Sequence, residues 1–220
     1  MKFVTSYSGG KDSVLALHRM IDSGNTPVAL LATVNKDVGV SWFHGVDVAV
    51  LRAAAESLGM ALTLAESVGN DYEAVLTESL RKSKKAGATH CVFGDIDIAE
   101  HRKWCERVAG GAGIEAVFPL WLEDRSALVN EAIGAGFSII IKVIAKDSGL
   151  PKHLLGQTLN REVLSEITRF GADPCGENGE YHTFVWDGPI FHEPVNFETD
   201  GYYENENCYS IILKTAGQTI

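Results

Sequence analysis

Apolar residues in the first half of the chain alternate between short continuous runs and helical spacings. Short apolar runs predict strands at Phe3 to Ser6 and at Pro27 to Val34. The second run is apolar almost throughout, so we expect its strand to be covered on both faces of the sheet. Between them, residues 11–23 carry an apolar stripe at helical spacing that ends near Gly24. Repetition of this unit predicts a parallel sheet with right-handed crossovers.

The same pattern predicts the remaining elements. Further helices are expected at 47–58, 71–86, 98–109, 126–135, 154–156 and 160–170, and further strands at 61–64, 90–93, 116–120, 138–144 and 209–213. Gly110-Gly111 is expected to end the helix before it, and residues 171–194 show no clear periodicity. We therefore predict an α/β fold: a doubly wound, mostly parallel sheet over residues 1–124 and a smaller α+β domain over residues 125–220.

Composition narrows the functional classes. The chain has 220 residues, 45% hydrophobic and 22% charged, which is typical of a soluble globular protein. Its net charge of -10 argues against a broad nucleic-acid surface. No apolar run approaches the roughly 20 residues that cross a bilayer, and a strand begins at once, so we expect no signal peptide and a cytoplasmic protein. The four cysteines form no C-x-x-C pair, which excludes a zinc knuckle or dithiol site of that spacing.

The string Ser8-Gly9-Gly10-Lys11-Asp12-Ser13 lies between the first predicted strand and the first predicted helix. Glycines let the backbone approach an anion, and the helix that follows points free N–H groups at it. Ser8 and Ser13 add hydroxyl donors and Lys11 a point charge. Asp12 either holds Mg²⁺ or caps the helix. A capped helix start is the alternative to a nucleotide loop, and the common P-loop spacing is absent.

Two further groups of residues carry candidate chemistry. Asn35 and Gly94-Asp95 follow predicted strands, so they are expected at the same sheet edge as the first loop. The string from Cys175 to Phe184 places two glutamates and a histidine within six residues, with glycines that allow tight turns. Such a group suits Mg²⁺, an amine, or acid–base chemistry; a surface loop with a capping carboxylate is the alternative.

Together these motifs resemble the diphthine–ammonia ligase (diphthamide synthetase) family of PP-loop ATP pyrophosphatases. The matching segments occur in family order across nearly the whole chain: Ser8–Ser13, Trp42-Phe43-His44, Gly94-Asp95-Ile96, His101-Arg102-Lys103-Trp104, Phe118-Pro119-Leu120-Trp121, Gly136-Phe137, Leu155-Gly156 and Gly171 to Thr183. The Cys-Gly-Glu-x-Gly-Glu-Tyr-His-Thr string is the most family-specific part, since the PP-loop alone indicates only the superfamily. The resemblance implies an adenine nucleotide alpha hydrolase-like fold.

The resemblance also implies a reaction. A carboxylate attacks the α-phosphate of ATP, pyrophosphate leaves, and ammonia then displaces AMP to form an amide, with ATP and Mg²⁺ as cofactors. Known members act on translation elongation factor 2, so the expected partners are ATP, ammonia and a carboxylate-bearing acceptor of that kind. With no N-terminal glutaminase expected, the nitrogen source is free ammonia or a separate donor protein. A homo-oligomer is left open.

Site roles follow from the resemblance as hypotheses. On the nucleotide side, Ser8, Gly9, Gly10 and Ser13 cradle the pyrophosphate and Lys11 neutralises its charge. Asp12 is a candidate to bind Mg²⁺ or to orient the loop, and Gly94 with Asp95 is a candidate to bind the metal or the ribose, with a helix N-cap as the alternative. Thr33 and Asn35 are candidates for contacts with the adenine and ribose edge. His44 is a candidate to contact the phosphates, with a structural role as the alternative. Arg102 is a phosphate or acceptor clamp, or a surface ion pair.

On the acceptor side, Glu177, Glu180 and His182 are expected to hold ammonium and accept its proton. For Cys175 a structural role is favoured over a nucleophilic one. Two other functions fit the first loop: a PP-loop tRNA-modifying enzyme, and a nucleotide sensor without turnover. The net negative charge of the chain and the missing C-x-x-C pairs argue against a tRNA-modifying enzyme. The acidic string from Cys175 to Phe184 argues against a sensor, because a sensor needs no such second site.

Overall fold

Strands and helices alternate through the first half of the computed structural model, which describes residues 1–216. The helices are α1 Lys11–Asp22, α2 Val48–Ser57, α3 Tyr72–Lys85, α4 Ala99–Ala112, α5 Arg125–Gly134 and α6 Arg161–Arg169, with one 3₁₀ turn at Lys152–Leu154. The strands are β1 Lys2–Ser6, β2 Thr26–Asn35, β3 Val40–Ser41, β4 Leu62–Ser67, β5 His90–Val92, β6 Glu115–Val117, β7 Ser138–Ala145, β8 Tyr181–Asp187, β9 Phe197–Glu204 and β10 Cys208–Thr215.

The first sheet is mostly parallel, as predicted. Strand β1 lies at its centre and pairs in parallel with β2 on one side and β5 on the other, while β4 pairs with β2 and β6 with β5. Within residues 1–216, the short β3 is the one strand of this sheet that runs antiparallel, against the end of β2. Because the chain leaves β1 towards one side and later returns to β5 on the other, the loops after β1 and β5 are neighbours, where ligands bind in such sheets.

The second sheet is antiparallel, with the order β8-β7-β10-β9. It packs on the α1 and α2 side of the first sheet, since α1 contacts β8 and α2 contacts β10. One hydrophobic cluster runs through this interface and includes Phe3, Leu51, Ile139 and Phe184. A second cluster covers the opposite face of the first sheet. The doubly covered sheet explains the nearly continuous apolar run of β2.

Two elements differ from their sequence predictions. Helix α4 continues through Gly110 and Gly111 to Ala112, and the residue that caps it, Gly113, has a left-handed φ of 75°. A glycine inside a helix costs only about 1 kcal/mol, so it does not end the helix unless the backbone must turn left-handed. Residues 154–156 were expected to be helical, and the structure has only the 3₁₀ turn that ends at Leu154.

The other differences are strands that the pattern did not indicate. Strand β8 lies inside the unperiodic stretch 171–194, where buried residues cluster without alternating. Strand β9 is exposed along nearly its whole length, so it has no apolar periodicity to detect. Among the described residues 1–216, no helix is both long and apolar enough to span a membrane.

Candidate active site

A cavity of about 570 Å³ opens at the carboxyl edge of the parallel sheet. One side is formed by the loop from β1 to α1, and a second by the ends of β2 and β5 with the facing sides of α3 and α4. The third side is the loop Cys175 to Gly179 with the start of β8. Segments that are far apart in sequence therefore meet around one space.

The loop between β1 and α1 is closed by its own serines. The Ser8 and Ser13 hydroxyl oxygens lie 3.2 Å apart, and the Gly10 amide donates to Ser8 Oγ over 3.2 Å. The Ser13 hydroxyl donates to the Gly10 carbonyl over 2.9 Å. The first N–H groups of α1 have no acceptor within the helix, so the loop presents a helix N-terminus to the cavity.

Gly9 and Gly10 leave room for other side chains to pack against this loop. A Cβ at Gly10 would lie 2.3 Å from Cε1 of His44. Gly9 has a φ of 77°, and its Cβ would lie 3.1 Å from Cδ2 of Phe184. Within residues 1–216, Ser8, Lys11, Asp12 and Ser13 line the cavity and these two glycines do not. Their small size therefore serves the packing of β8 and His44 against the loop.

Gly94 has a similar role at the end of β5. A Cβ there would lie 2.8 Å from the Asp12 carbonyl carbon and 2.9 Å from the Ser13 nitrogen. The strand end thus approaches the first turn of α1 at a distance that excludes any side chain. This contact places Asp95 beside the loop, and both Gly94 and Asp95 line the cavity.

Lys11 joins the two loops. Its side chain is 4% exposed, and its Nζ donates to Asp12 Oδ2 over 2.8 Å and to the carbonyl oxygen of Cys175. Its backbone amide donates to Thr183 Oγ1 over 3.1 Å. Burial disfavours the ammonium, but the Asp12 carboxylate outweighs it and raises the pKa of Lys11 above its ordinary value. The side chain is therefore charged and bridges residues from both ends of the chain.

His44 and His182 face each other beside this bridge, with ring centroids 4.7 Å apart. The Nδ1 atom of His44 lies 3.0 Å from the Thr183 carbonyl, so it carries the hydrogen and leaves Nε2 as an acceptor. Burial, with a smaller contribution from Lys11, lowers the pKa of His44 to about 4. Burial and the His44 ring lower the pKa of His182 to about 3. Both rings are neutral at neutral pH.

Three carboxylates, Asp12, Asp95 and Glu177, line the cavity. Burial and the nearby Asp12 raise the pKa of Glu177 to about 7. Burial is also the largest cause that raises the pKa of Asp95. Glu177 therefore exchanges a proton near neutral pH, as a general base requires.

Asp12 and Asp95 suit Mg²⁺ only in part. In residues 1–216, no cluster of three or more His, Cys, Asp or Glu side chains is arranged to hold a metal by itself. Mg²⁺ is commonly held by one or two carboxylates together with substrate phosphates. The two carboxylates, beside a loop that opens a helix N-terminus, fit that second arrangement.

Glu180 and Cys175 stabilise the second loop. The Glu180 carboxylate accepts hydrogen bonds from the Asp173 amide, the Asn178 amide and Asn178 Nδ2 over 3.0–3.2 Å. Burial opposes ionisation of Glu180, but these hydrogen bonds outweigh it and lower its pKa. The Cys175 sulfur lies 3.1 Å from the carbonyl of Arg125, and burial raises its pKa to about 12, so its thiol is protonated.

The structure also reveals an ion-pair network that the sequence did not indicate. Arg125 makes two bonds of 2.8 and 2.6 Å to Asp97 and one of 2.7 Å to Asp173. Asp173 in turn accepts from the amides of Cys175 and Glu177. The partners are 28 and 48 residues apart, so no local motif shows the network. It holds the loop that carries Glu177 beside the end of β5.

Most of the residues proposed from the sequence meet in the cavity: Ser8, Lys11, Asp12, Ser13, Thr33, His44, Gly94, Asp95, Glu177 and His182 line it. Five do not line it: Gly9, Gly10, Asn35, Arg102 and Glu180. Asn35 Oδ1 accepts from the Asp37 amide within a turn, over 3.0 Å. The Arg102 guanidinium carbon lies 4.8 Å from the Trp121 ring centroid, and its Nε bonds Glu106 over 2.7 Å.

Comparison with known proteins covers nearly the whole chain. The model of the diphthamide synthase N-terminal domain matches residues 1–116, and that of the C-terminal domain matches residues 124–216. A diphthine–ammonia ligase of Schizosaccharomyces pombe is 30% identical over 95% of this chain, which spans 38% of that relative. Relatives of the same name are 28% identical in Danio rerio and 26% in Homo sapiens, over 89% of this chain and 86% and 82% of theirs.

Similar solved structures include a chain titled as a predicted subunit of tRNA methyltransferase from Methanocaldococcus jannaschii DSM. It is 16% identical, with a TM-score of 0.47 over 86% of this chain and 98% of that chain.

Proposed function

The chain belongs to the diphthamide synthase family, as its motifs predicted, and on that premise we propose that it is an ATP-dependent amide-forming ligase. It adenylates the carboxylate of a diphthine-like acceptor and transfers ammonia to it, releasing AMP and pyrophosphate. Residues 1–124 bind ATP, and residues 125–220 contact the acceptor. The observation that carries this proposal is the Lys11 bridge, since it joins a phosphate-type loop to the Glu177 loop at one cavity.

The nucleotide half of the site is the loop before α1. The hydroxyls of Ser8 and Ser13 and the N-terminus of α1 hold the pyrophosphate end of ATP. Asp12 and Asp95 would hold Mg²⁺, which would supply charge neutralisation at the phosphates. The neutral His44 packs under the loop and keeps Gly10 in place. The roles predicted for Asn35 and Arg102 stay predictions, since both lie outside the cavity lining.

In the first step, a carboxylate oxygen of the acceptor attacks the α-phosphorus of ATP. The bond from that phosphorus to the oxygen bridging to the β-phosphate breaks, and pyrophosphate leaves with the bonding pair. Negative charge grows on the leaving group, where the helix N-terminus and the Lys11 ammonium stabilise it. Lys11 does this from a buried position, where its charge is poorly screened.

In the second step, the nitrogen of ammonia attacks the acyl carbon. The bond from that carbon to the AMP oxygen breaks, AMP leaves, and one proton passes from nitrogen to Glu177. A pKa near 7 suits Glu177 to accept this proton and return it to solvent. His182 has too low a pKa to be an effective base, so it acts as a neutral hydrogen-bonding neighbour. Glu180 acts by holding the loop in shape.

The experiment is a reconstitution with ATP, Mg²⁺ and ¹⁵N-labelled ammonium. The acceptor to test first is a translation elongation factor that carries diphthine. The expected result is AMP and pyrophosphate in equal amounts and ¹⁵N in the acceptor, with a mass change of about one unit when unlabelled ammonium is used. Glutamine in place of ammonium checks the nitrogen source. ATP binding without AMP and pyrophosphate, whatever the acceptor, would contradict the proposal and favour a sensor.

A further inference from the structure

Lys142 lies at an irregularity of strand β7 that turns its side chain towards the interior. The pairing register with β8 slips by one residue between Ile141 and Val143, so Lys142 is the extra residue of a β-bulge. Ile141 and Ile144 both belong to the hydrophobic core, although a regular strand would place residues three positions apart on opposite faces. Bulges re-aim side chains and are frequent next to active sites.

The amine of Lys142 is buried without a counter-charge. The residue is 2% exposed, and its Nζ donates to the hydroxyl of Ser210 over 2.9 Å. Within residues 1–216 it makes no ion pair with a carboxylate, although lysines are almost never fully buried unless paired. Burial lowers the pKa of Lys142 to about 8, and the nearby Cys208 opposes this shift. A charge in such a place destabilises the fold, which points to a functional role.

Lys142 adjoins the segments that support the loop between β1 and α1. A Cβ at Gly45 would lie 3.6 Å from Lys142 Nζ, so the amine reaches the segment that carries His44. The His44 ring in turn packs against that loop. The bulge also places Lys142 opposite the start of β8, where Thr183 accepts the backbone amide of Lys11. Residues that contact the loop are therefore next to residues that contact Lys142.

The groups around Lys142 do not cancel its positive charge. The rings of His44 and His182 are neutral: burial is the main cause of their low pKa values, and the charges of Lys11 and Lys142 lower them further. Among the described residues, the Cys208 thiol is the other titratable group that acts on Lys142. A buried charge is poorly screened, so the field of the ammonium extends past the neutral rings to an anion held at the loop.

We propose that Lys142 is a positioning residue of the nucleotide site, whose buried charge strengthens the binding of the ATP phosphates at the loop between β1 and α1. The inference rests on the proposed function for the identity of the bound anion. Lys142 does not line the cavity, so it acts through space and through the segment of His44 and touches no phosphate. The free protein carries an uncompensated buried charge, and the bound phosphates compensate it.

The first test is Lys142→Met, which keeps the length of the side chain and removes its charge. The probe is α,β-methylene-ATP with Mg²⁺, an analogue that cannot release pyrophosphate, so calorimetry measures binding without turnover. We expect the dissociation constant to rise about tenfold. The melting temperature should rise as well, because the variant buries no uncompensated charge. Lys146→Met, at an exposed lysine paired with Glu204, is the matched control and should cause neither change.

The second test follows the same binding at pH 7.5 and pH 9.5. All proteins in it carry Cys208→Ser, so that ionisation of this thiol does not contribute. The Lys142 ammonium loses its proton in this window, so the affinity for the analogue should fall about fivefold or more. Lys142→Met should bind weakly at both pH values. Lys142→Arg stays charged throughout and should keep its affinity at pH 9.5.

The opposing results are equally definite. Equal affinity of Lys142→Met and the unsubstituted protein overturns the inference and leaves the proposed function intact. A lower melting temperature with unchanged affinity also overturns it and makes Lys142 a structural residue. If Lys142→Arg does not fold, an affinity of the unsubstituted protein that is independent of pH overturns the role of the charge. Failure of the unsubstituted protein to bind the analogue contradicts the proposed function as well, so the two failures are distinct.

Discussion

The Lys11 ammonium donates a hydrogen bond to the backbone carbonyl of Cys175, a residue 164 positions further along the chain. The same ammonium is paired with Asp12 in the first turn of α1. A single buried charge therefore links the loop between β1 and α1 to the loop that carries Glu177. Arg125 provides a second link, between Asp97 after β5 and Asp173. These two cross-links connect loops that form two sides of the candidate active-site cavity.

We expect Lys11→Ala to abolish pyrophosphate release and to lower stability as well. The substitution removes the hydrogen bond to the buried Cys175 carbonyl and the ion pair of Asp12, whose side chain is 26% exposed. Loss of a hydrogen-bond partner at a largely buried group costs about 1–3 kcal/mol. The measurements are AMP formation and urea unfolding. Lys36→Ala, at an exposed lysine, is the control and should change neither. A Lys11→Ala protein of unchanged stability would contradict the bridge.

Substitution of the two glutamates should have separable effects. Glu177→Gln keeps the loop but removes the base, so ATP binding is expected to persist while amide formation falls about a hundredfold or more. Glu180→Gln replaces the carboxylate that accepts three hydrogen bonds within the loop with an amide, which is a weaker acceptor. It should lower the melting temperature and affect KM more than kcat. Identical losses in kcat for both variants would contradict the different roles.

The rate of amide formation should rise with pH around the pKa of Glu177, about 7, because the ionised form accepts the proton. The assay keeps the concentration of free ammonia constant, so that ammonium titration does not contribute. The rate is expected to be low at pH 6 and to level off above pH 8. Glu177→Gln should lose this dependence along with most of its activity. A flat profile in the unsubstituted protein would exclude Glu177 as the base.

Stability should change with pH in the opposite direction. The pKa of Glu177 is raised from 4.5 to about 7 in the folded protein, so between these values the folded state binds more protons than the unfolded state. Stability therefore falls as pH rises through this window, by an amount on the order of 1 kcal/mol after solvent screening. Urea unfolding at pH 5 and pH 8 measures this, and Glu177→Gln should show a smaller difference.

Three glycine substitutions should change the free energy of unfolding in different directions. Gly10→Ala places a Cβ 2.3 Å from His44, and Gly94→Ala places one 2.8 Å from the Asp12 backbone, so both should destabilise the protein. Adding His44→Ala should partly rescue Gly10→Ala, whereas a backbone clash at Gly94 has no such rescue. Gly110→Ala, inside α4 with open space around it, should stabilise by about 0.5–1 kcal/mol. Thermal unfolding ranks all three.

Much of the fold follows from local pattern. The alternation of apolar runs and helical stripes predicts the elements of the parallel sheet, because each strand and helix buries its own stripe of side chains. The family can be identified from two strings, Ser8 to Ser13 and Cys175 to Thr183, because each is defined by the residue types at its own positions. Strand β9 escapes prediction because it is exposed and carries no pattern.

Tertiary contacts decide what each site residue does. Glu177 and Glu180 are the same residue type three positions apart, yet one faces the cavity with a raised pKa and the other accepts amides of its own loop. Gly10 leaves room for the His44 ring, and Phe43 packs against Tyr72, which in turn packs against Trp104 from another helix. Burial, charge proximity and steric fit depend on segments brought together from across the chain, and local sequence carries no record of those distances.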